Sequence, residues 1–382
     1  MHNVSERELQ MPPAVIEKLL KYVSERKDII SLGPGEPDFP APKPVVEHAR
    51  KIAGMCNHYS PPGGRKDLKE ALLKKLGKDN GIKCSEDNIV VTAGSQEALL
   101  LAIAATHDAT EQLIVPEPGF LAYTPTAEML DAVPVPLRLE AGEDFQINPD
   151  RLKKLITKKT QALMINTPSN PTGAVMKKKL LEEIADIAVE NDIYIFSDEA
   201  YERIIYGGKH VSIGSLNGMH EHVVSFFTFS KTYAMCGYRL GYCTAPADVA
   251  SAIRKMHVYT SICAPTISQM LGLKALSLPR RHVDSMVKEY KRRRDYIVKR
   301  LNGMGLPTKM PGGAFYTFSD ISGHSKNSSR FSQSLLKKRK VAVIPGTEFG
   351  PAGEGFIRCS YATKLPLIKK ACDRVEKFLG KL

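Results

Sequence analysis

Four short stretches combine residue types that could do chemistry together. Thr228-Phe229-Ser230-Lys231 closes the apolar run Val223–Phe227, and Arg239 comes eight residues after the lysine. Asp198 closes the run Ile193–Phe196, with Tyr201 three residues on, and Asn170 opens Asn170-Pro171-Thr172-Gly173. Gly94-Ser95-Gln96 separates Ile89-Val90-Val91-Thr92 from a helix-like stretch. A lysine can attack a carbonyl, a carboxylate can hold a proton, and an arginine with free N–H groups at a helix start can hold a phosphate. Each item also has a plain structural reading. Asn-Pro-Thr-Gly is a good turn whatever it binds, Asp198 could cap a helix, and Lys231 could be one more surface lysine. An amide, an acid, a phenol, a lysine and an arginine at successive strand ends together point to one ligand site, because open α/β sheets bind ligands there.

The elements that must position these groups follow from the hydrophobic pattern. Short apolar runs at Ile89–Thr92, Leu113–Val115, Ala162–Ile165, Ile193–Phe196 and Val223–Phe227 read as strands covered on both faces. Helical patterns from Glu97 to Ala105 and from Lys178 to Glu190 alternate with them. That alternation predicts an α/β fold with a largely parallel sheet. The charged stretch Arg281–Leu301 reads as one long helix, followed by Pro311-Gly312-Gly313 and a strand over Ala314–Phe318. The domain change is expected near that helix. Proline-rich residues up to Pro44 read as an irregular crossing segment.

At 382 residues the chain exceeds the roughly 250–300 at which one core stops growing, so two domains are expected. Its longest apolar stretch, Ala98–Ala105, falls far short of the ~20 residues of a membrane helix, and no signal-peptide core opens it. A soluble, cytoplasmic protein is expected. The 54 basic residues against 41 acidic give +13, which could serve nucleic acid or anionic ligands. The densest runs, at Lys177–Lys179, Lys291–Arg294 and Lys337–Lys340, fall on helices or their ends and read as solvated faces. Seven scattered cysteines without a C-x-x-C pair suit reduced thiols, and His220-x-His222 lacks partners for a metal site. No P-loop and no well-placed G-x-G-x-x-G occurs, which disfavours nucleoside-triphosphate and dinucleotide binding.

Taken with Gly35-Glu36-Pro37-Asp38-Phe39 near the start and Phe356-Ile357-Arg358-Cys359-Ser360-Tyr361-Ala362 near the end, these motifs resemble the class I/II aminotransferases. Those are fold-type-I enzymes using pyridoxal 5′-phosphate, and the likeness is greatest to the prokaryotic aspartate-aminotransferase-like branch. The resemblance implies a large domain over 48–289 with a mostly parallel sheet sandwiched by helices. A smaller α+β domain would cover 290–382, with an N-terminal segment 1–47 packed on it. It implies that Lys231 links to the cofactor aldehyde and then moves a proton, and that Asp198 pairs with the pyridine nitrogen. Asn170 and Tyr201 would bond the ring's phenolate oxygen. Ser95, Gln96, Ser230 and Arg239 would hold the phosphate, with Thr228 offering another hydroxyl. Tyr59 would reach the phosphate of a neighbouring subunit, which implies a homodimer with shared sites. Phe120 would stack on the cofactor, where aspartate-specific members often carry tryptophan. Arg358 would take the substrate α-carboxylate as a bidentate pair, with the Gly35 N–H on the same group.

The implied activity moves an amino group from an L-amino acid, aspartate first, to a 2-oxo acid, 2-oxoglutarate first, in two half-reactions. Aromatic or small neutral donors are the alternative. A carbon–sulfur β-lyase would use the same residues. A transcription regulator on this scaffold would need a DNA-binding extension, and the 34 residues before Gly35 are too few for a winged helix. Neither nucleic acid nor membrane is an expected partner.

Overall fold

The computed structural model describes residues 4–5, 8–9, 11, 21–23 and 25–380. The remainder of the N-terminal segment expected over 1–47 lies outside the described residues. Strand β1 is Ile30–Ser31, and seven strands then build the main sheet: β2 Ile89–Thr92, β3 Gln112–Glu117, β4 Val133–Arg138, β5 Thr160–Asn166, β6 Tyr194–Asp198, β7 Val223–Thr228 and β8 Gly241–Thr244. Their spatial order is β2-β8-β7-β6-β5-β3-β4, and β8 alone runs against its neighbours. Helices α1 (Ser95–Thr106), α2 (Lys178–Glu190) and α3 (Ala247–Thr260) belong to this part.

The central strands are almost wholly buried, because apolar layers cover both faces. Ile114, Leu163, Ile165 and Ile195 pack with the inner face of α2 on one side. Val115, Met164, Phe196 and Phe226 pack with α1 and α3 on the other. Strand β4, Val-Pro-Val-Pro-Leu-Arg, sits at the edge and is half open to solvent. Its two prolines lack ladder donors, which an edge strand tolerates; they also hide it from a strand reading.

Helix α4 (Arg281–Gly303) leads into the smaller part. There β9 (Tyr316–Asp320), β11 (Ile344–Pro345) and β12 (Phe356–Ser360) form an antiparallel sheet in the order β11-β12-β9, and β1 pairs in parallel with β10 (Val341–Ala342). The expected strand over Ala314–Phe318 begins two residues late. Ala314 has φ 54°, and its N–H turns aside to the Ile204 carbonyl. The basic run Lys291–Arg294 is the solvated face expected of it only at Lys291 and Arg292. Helical periodicity carries Arg293 and Arg294 onto the packed side. Arg293 pairs with Asp38 at 2.7 Å and Glu289 at 2.9 Å, and Arg294 donates to the Pro311 carbonyl at 2.9 Å. Among the described residues no helix is long and apolar enough to cross a membrane.

Candidate active site

A cleft of about 570 Å³ opens where β2, β5, β6 and β7 end, and β12 and the chain around Gly35 close its far side. Strand β7 delivers Thr228, whose side-chain oxygen accepts the Ser230 N–H at 3.1 Å and starts a single helical turn, Phe229–Thr232. That turn aims Lys231 into the cleft. Its ammonium is partly buried and donates to the Gly35 carbonyl at 2.6 Å. Burial pushes the lysine below its ordinary range, which favours the free amine a nucleophile needs.

Strand β6 ends on Asp198, half-buried and lining the same cleft. Burial raises its proton affinity, while the Tyr123 hydroxyl at 2.6 Å and the Ala200 N–H at 3.1 Å oppose that rise. Between β2 and α1 stands Gly94 at φ 94°. A Cβ there would meet the Arg239 guanidinium at 2.6 Å, so only glycine lets arginine lie across the turn. No side chain caps the start of α1, and its first N–H groups remain available. Arg239 donates to the Cys236 and Ala93 carbonyls at 3.0 and 3.3 Å.

On the far side, β12 carries Arg358, 3% exposed. It donates to Asn170 Oδ1 at 2.9 Å and to the Gly33 carbonyl at 2.5 Å, while its Nε is buried without a partner. The guanidinium lies over the Tyr316 ring, 4.5 Å from its centroid. Tyr316 in turn shares a 2.6 Å hydrogen bond with the Tyr201 hydroxyl. Its own hydroxyl presses on Gly35, where a Cβ would come within 2.5 Å.

All the residues singled out in the sequence line this cleft except Tyr59, which is 79% exposed. Ser95, Gln96 and Phe120 line it as well, Phe120 edge-on to Tyr123 at 5.5 Å. Tyr123, Tyr316 and the Gly33 carbonyl were not singled out. Tyr123 stands only three residues beyond Phe120, but nothing in the sequence marks a tyrosine that will meet an aspartate 75 positions on.

Lys231, Arg239 and Arg358 have no carboxylate partner among the described residues, while Asp198 is a half-buried carboxylate without a cation hydrogen-bonded to it. This donor set fits pyridoxal 5′-phosphate. An amine stands ready for an aldehyde, a carboxylate for a ring N–H⁺, and an arginine with a free helix start for a phosphate.

Fold and site together define a pyridoxal-phosphate-dependent transferase of the α/β type. Comparison with known proteins gives the family: aminotransferase class I and II matches residues 27–375. The chain is 44% identical to an aspartate aminotransferase of Pyrococcus abyssi, covering 96% of each chain. It is 42% identical to aromatic-amino-acid aminotransferase 2 of Thermococcus litoralis, covering 98% of each. The solved aspartate aminotransferase of Thermus thermophilus with maleate superimposes with a TM-score of 0.93 at 35% identity, over 99% of this chain and 100% of that one. The chain belongs to the class I and II aminotransferases. It is a transaminase, and its cofactor is pyridoxal 5′-phosphate.

Proposed function

We propose that this enzyme transfers the amino group of an L-amino acid to a 2-oxo acid with Lys231, Asp198 and Arg358 as its working groups. One observation carries the reading: three basic side chains without carboxylate partners among the described residues share a cleft with the half-buried carboxylate of Asp198. A phosphate and an α-carboxylate would pair with the two arginines. When bound, the cofactor supplies an aldehyde that carries the amino group and a ring that takes up the electron pair released at Cα.

Arg358 binds the α-carboxylate through both Nη atoms, and the substrate displaces weaker bonds to the Gly33 and Asn170 oxygens. Asn170 and Tyr316 fix the plane of the guanidinium, so the carboxylate sets the orientation of Cα. Lys231, freed from the Gly35 carbonyl, would take the Cα proton on Nζ and return it to the cofactor carbon on the other side of the amino nitrogen. Asp198 would accept the N–H⁺ of the ring nitrogen on its carboxylate and so keep that nitrogen protonated, and Tyr123 keeps the carboxylate aimed there. Tyr201 reaches the cofactor oxygen from its bond with Tyr316. Ser95, Gln96, Ser230 and Arg239 hold the phosphate. Thr228 spends its acceptor on the Ser230 N–H and serves as the cap that aims Lys231.

Kinship supports aspartate and 2-oxoglutarate as the first pair. A second reading, aromatic donors, draws on the cleft wall: Leu99, Phe120 and Leu121 line it, and no fourth Lys or Arg does among the described residues. The relative from Thermococcus litoralis bears an aromatic name. A desolvated distal cation rejects neutral donors by orders of magnitude, because it is left unpaired. Comparing kcat/KM for aspartate, alanine and phenylalanine with 2-oxoglutarate decides between the two. Phenylalanine ahead of aspartate by tenfold, about 1.4 kcal/mol of transition-state preference, would select the second. Release of pyruvate and ammonia without an acceptor would instead mark a β-lyase.

The active unit we propose is a cytoplasmic homodimer. Tyr59 does not line its own cleft and is 79% exposed, which suits an arm to a neighbour's phosphate. The division at 48–289 and 290–382 stays part of this proposal, with its boundary inside the unbroken helix α4.

A further inference from the structure

A polar cluster adjoins the turn that carries Ser95 and Gln96. Glu97, in the first turn of α1, accepts the Ala93 N–H at 2.5 Å and the Ser261 hydroxyl at 2.6 Å. Its Oε2 also stands 3.3 Å from Nε2 of His257. His257 belongs to α3 and is fully buried. Its Nδ1 lies 2.8 Å from the Pro62 carbonyl, in the loop that begins Tyr59-Ser60-Pro61-Pro62-Gly63. A carbonyl oxygen only accepts, so Nδ1 carries a hydrogen.

The other ring nitrogen, Nε2, is buried and stands against the Glu97 carboxylate, with no well-aligned hydrogen-bond partner among the described residues. Burial works against ionisation of Glu97, yet its contacts with His257, Ser261 and Ala93 hold its carboxyl down to about 2. The same loop is tied a second time, since the Gly63 carbonyl accepts the N–H of Val91 on β2 at 3.1 Å. The strand that leads into the turn and the helix that leaves it are thus both fastened to this loop.

We propose that Glu97 and His257 are positioning residues that lock the turn carrying Ser95 and Gln96 against the loop carrying Tyr59, and so set the phosphate affinity of the site. The inference rests on the assignment of the phosphate to this turn. Neither residue lines the cleft. Their action runs through the Ala93 N–H, which fixes the turn just before the free N–H groups of α1.

The test uses apoprotein titrated with pyridoxal 5′-phosphate and, separately, with pyridoxal, which carries a hydroxymethyl group in place of the phosphate ester. His257→Asn keeps an amide N–H for Pro62 and removes the ring that stands against Glu97. Glu97→Gln removes the carboxylate charge and, at a side chain only partly buried, is the safer variant to fold. Ser261→Ala leaves the Glu97–His257 contact in place. The expected result is a dissociation constant for the phosphate form raised about tenfold or more in the first two variants. Pyridoxal affinity should stay within about twofold, and Ser261→Ala should stay near the parent for both. Equal weakening of both ligands, or unchanged phosphate-form affinity in folded Glu97→Gln, overturns the inference alone. A parent protein that binds both ligands equally overturns the phosphate assignment and the inference with it.

Discussion

The Tyr123 hydroxyl donates a 2.6 Å hydrogen bond to Oδ2 of Asp198. Tyr123 is buried and Asp198 half-buried, and the bond opposes the rise in proton affinity that burial imposes on the carboxylate. Asp198 lies at the end of β6, so its backbone is fixed by sheet pairing to β5 and β7. Tyr123, at the start of the short helix that follows β3, decides where its carboxylate points.

Tyr123→Phe should therefore keep the fold and weaken the site. A hydrogen bond to a charged group is worth roughly 1.5–3 kcal/mol, which corresponds to about 10- to 150-fold in kcat. Asp198 would also hold its proton to higher pH. Steady-state kinetics with a pH titration of the cofactor's visible band reads both effects. An unchanged kcat would deny Tyr123 any share in catalysis.

Lys231→Ala should lose the lysine-linked absorption band and roughly 10²–10⁴-fold or more of activity, the share of a positioned acid–base group. Borohydride reduction followed by peptide mapping checks the assignment. A normal yield of lysine–cofactor adduct in the variant would move the role to another lysine.

Mixing Tyr59→Phe subunits with Lys231→Ala subunits tests the shared site. A mixed dimer would then hold one site with both lesions and one with neither. Activity per mixed dimer should approach half that of the parent dimer. Activity no higher than in the parental variants, or an active monomer in sedimentation, counts against the arm from Tyr59.

His107 gives a prediction about stability. It is buried against Phe196, with ring centroids 5.8 Å apart, and burial pushes it down to about 4. The folded state therefore resists the proton that the unfolded chain accepts below its ordinary value of about 6.5. Stability is complete above that value and falls as pH drops toward 4, by about 1.4 kcal/mol per pH unit within the window. Denaturant titrations at pH 7 and pH 5 should differ by about 2 kcal/mol from this group. His107→Phe should remove that share of the difference; an identical pH dependence in the variant would contradict it.

Much of this protein is written in its local pattern. Short β-branched runs between amphipathic helices dictate a parallel sheet, since only strands covered on both faces read that way. Lys231, Asp198, Asn170 and Gly94-Ser95 are legible because each stands where such a run ends, and chain connectivity alone puts them on one edge of the sheet. What the sequence leaves open depends on partners far apart along the chain. Tyr316 and Tyr201 meet across 115 positions, and Arg358 reaches Gly33 across 325. Arg293 looks like a surface charge until α4 turns it onto Asp38. His257 looks like any helix residue until packing presents Glu97 on one side and Pro62 on the other. Hydrophobic periodicity specifies which face of an element is buried, but not which polar group waits there. That is settled only when the layers close and every buried donor must find an acceptor.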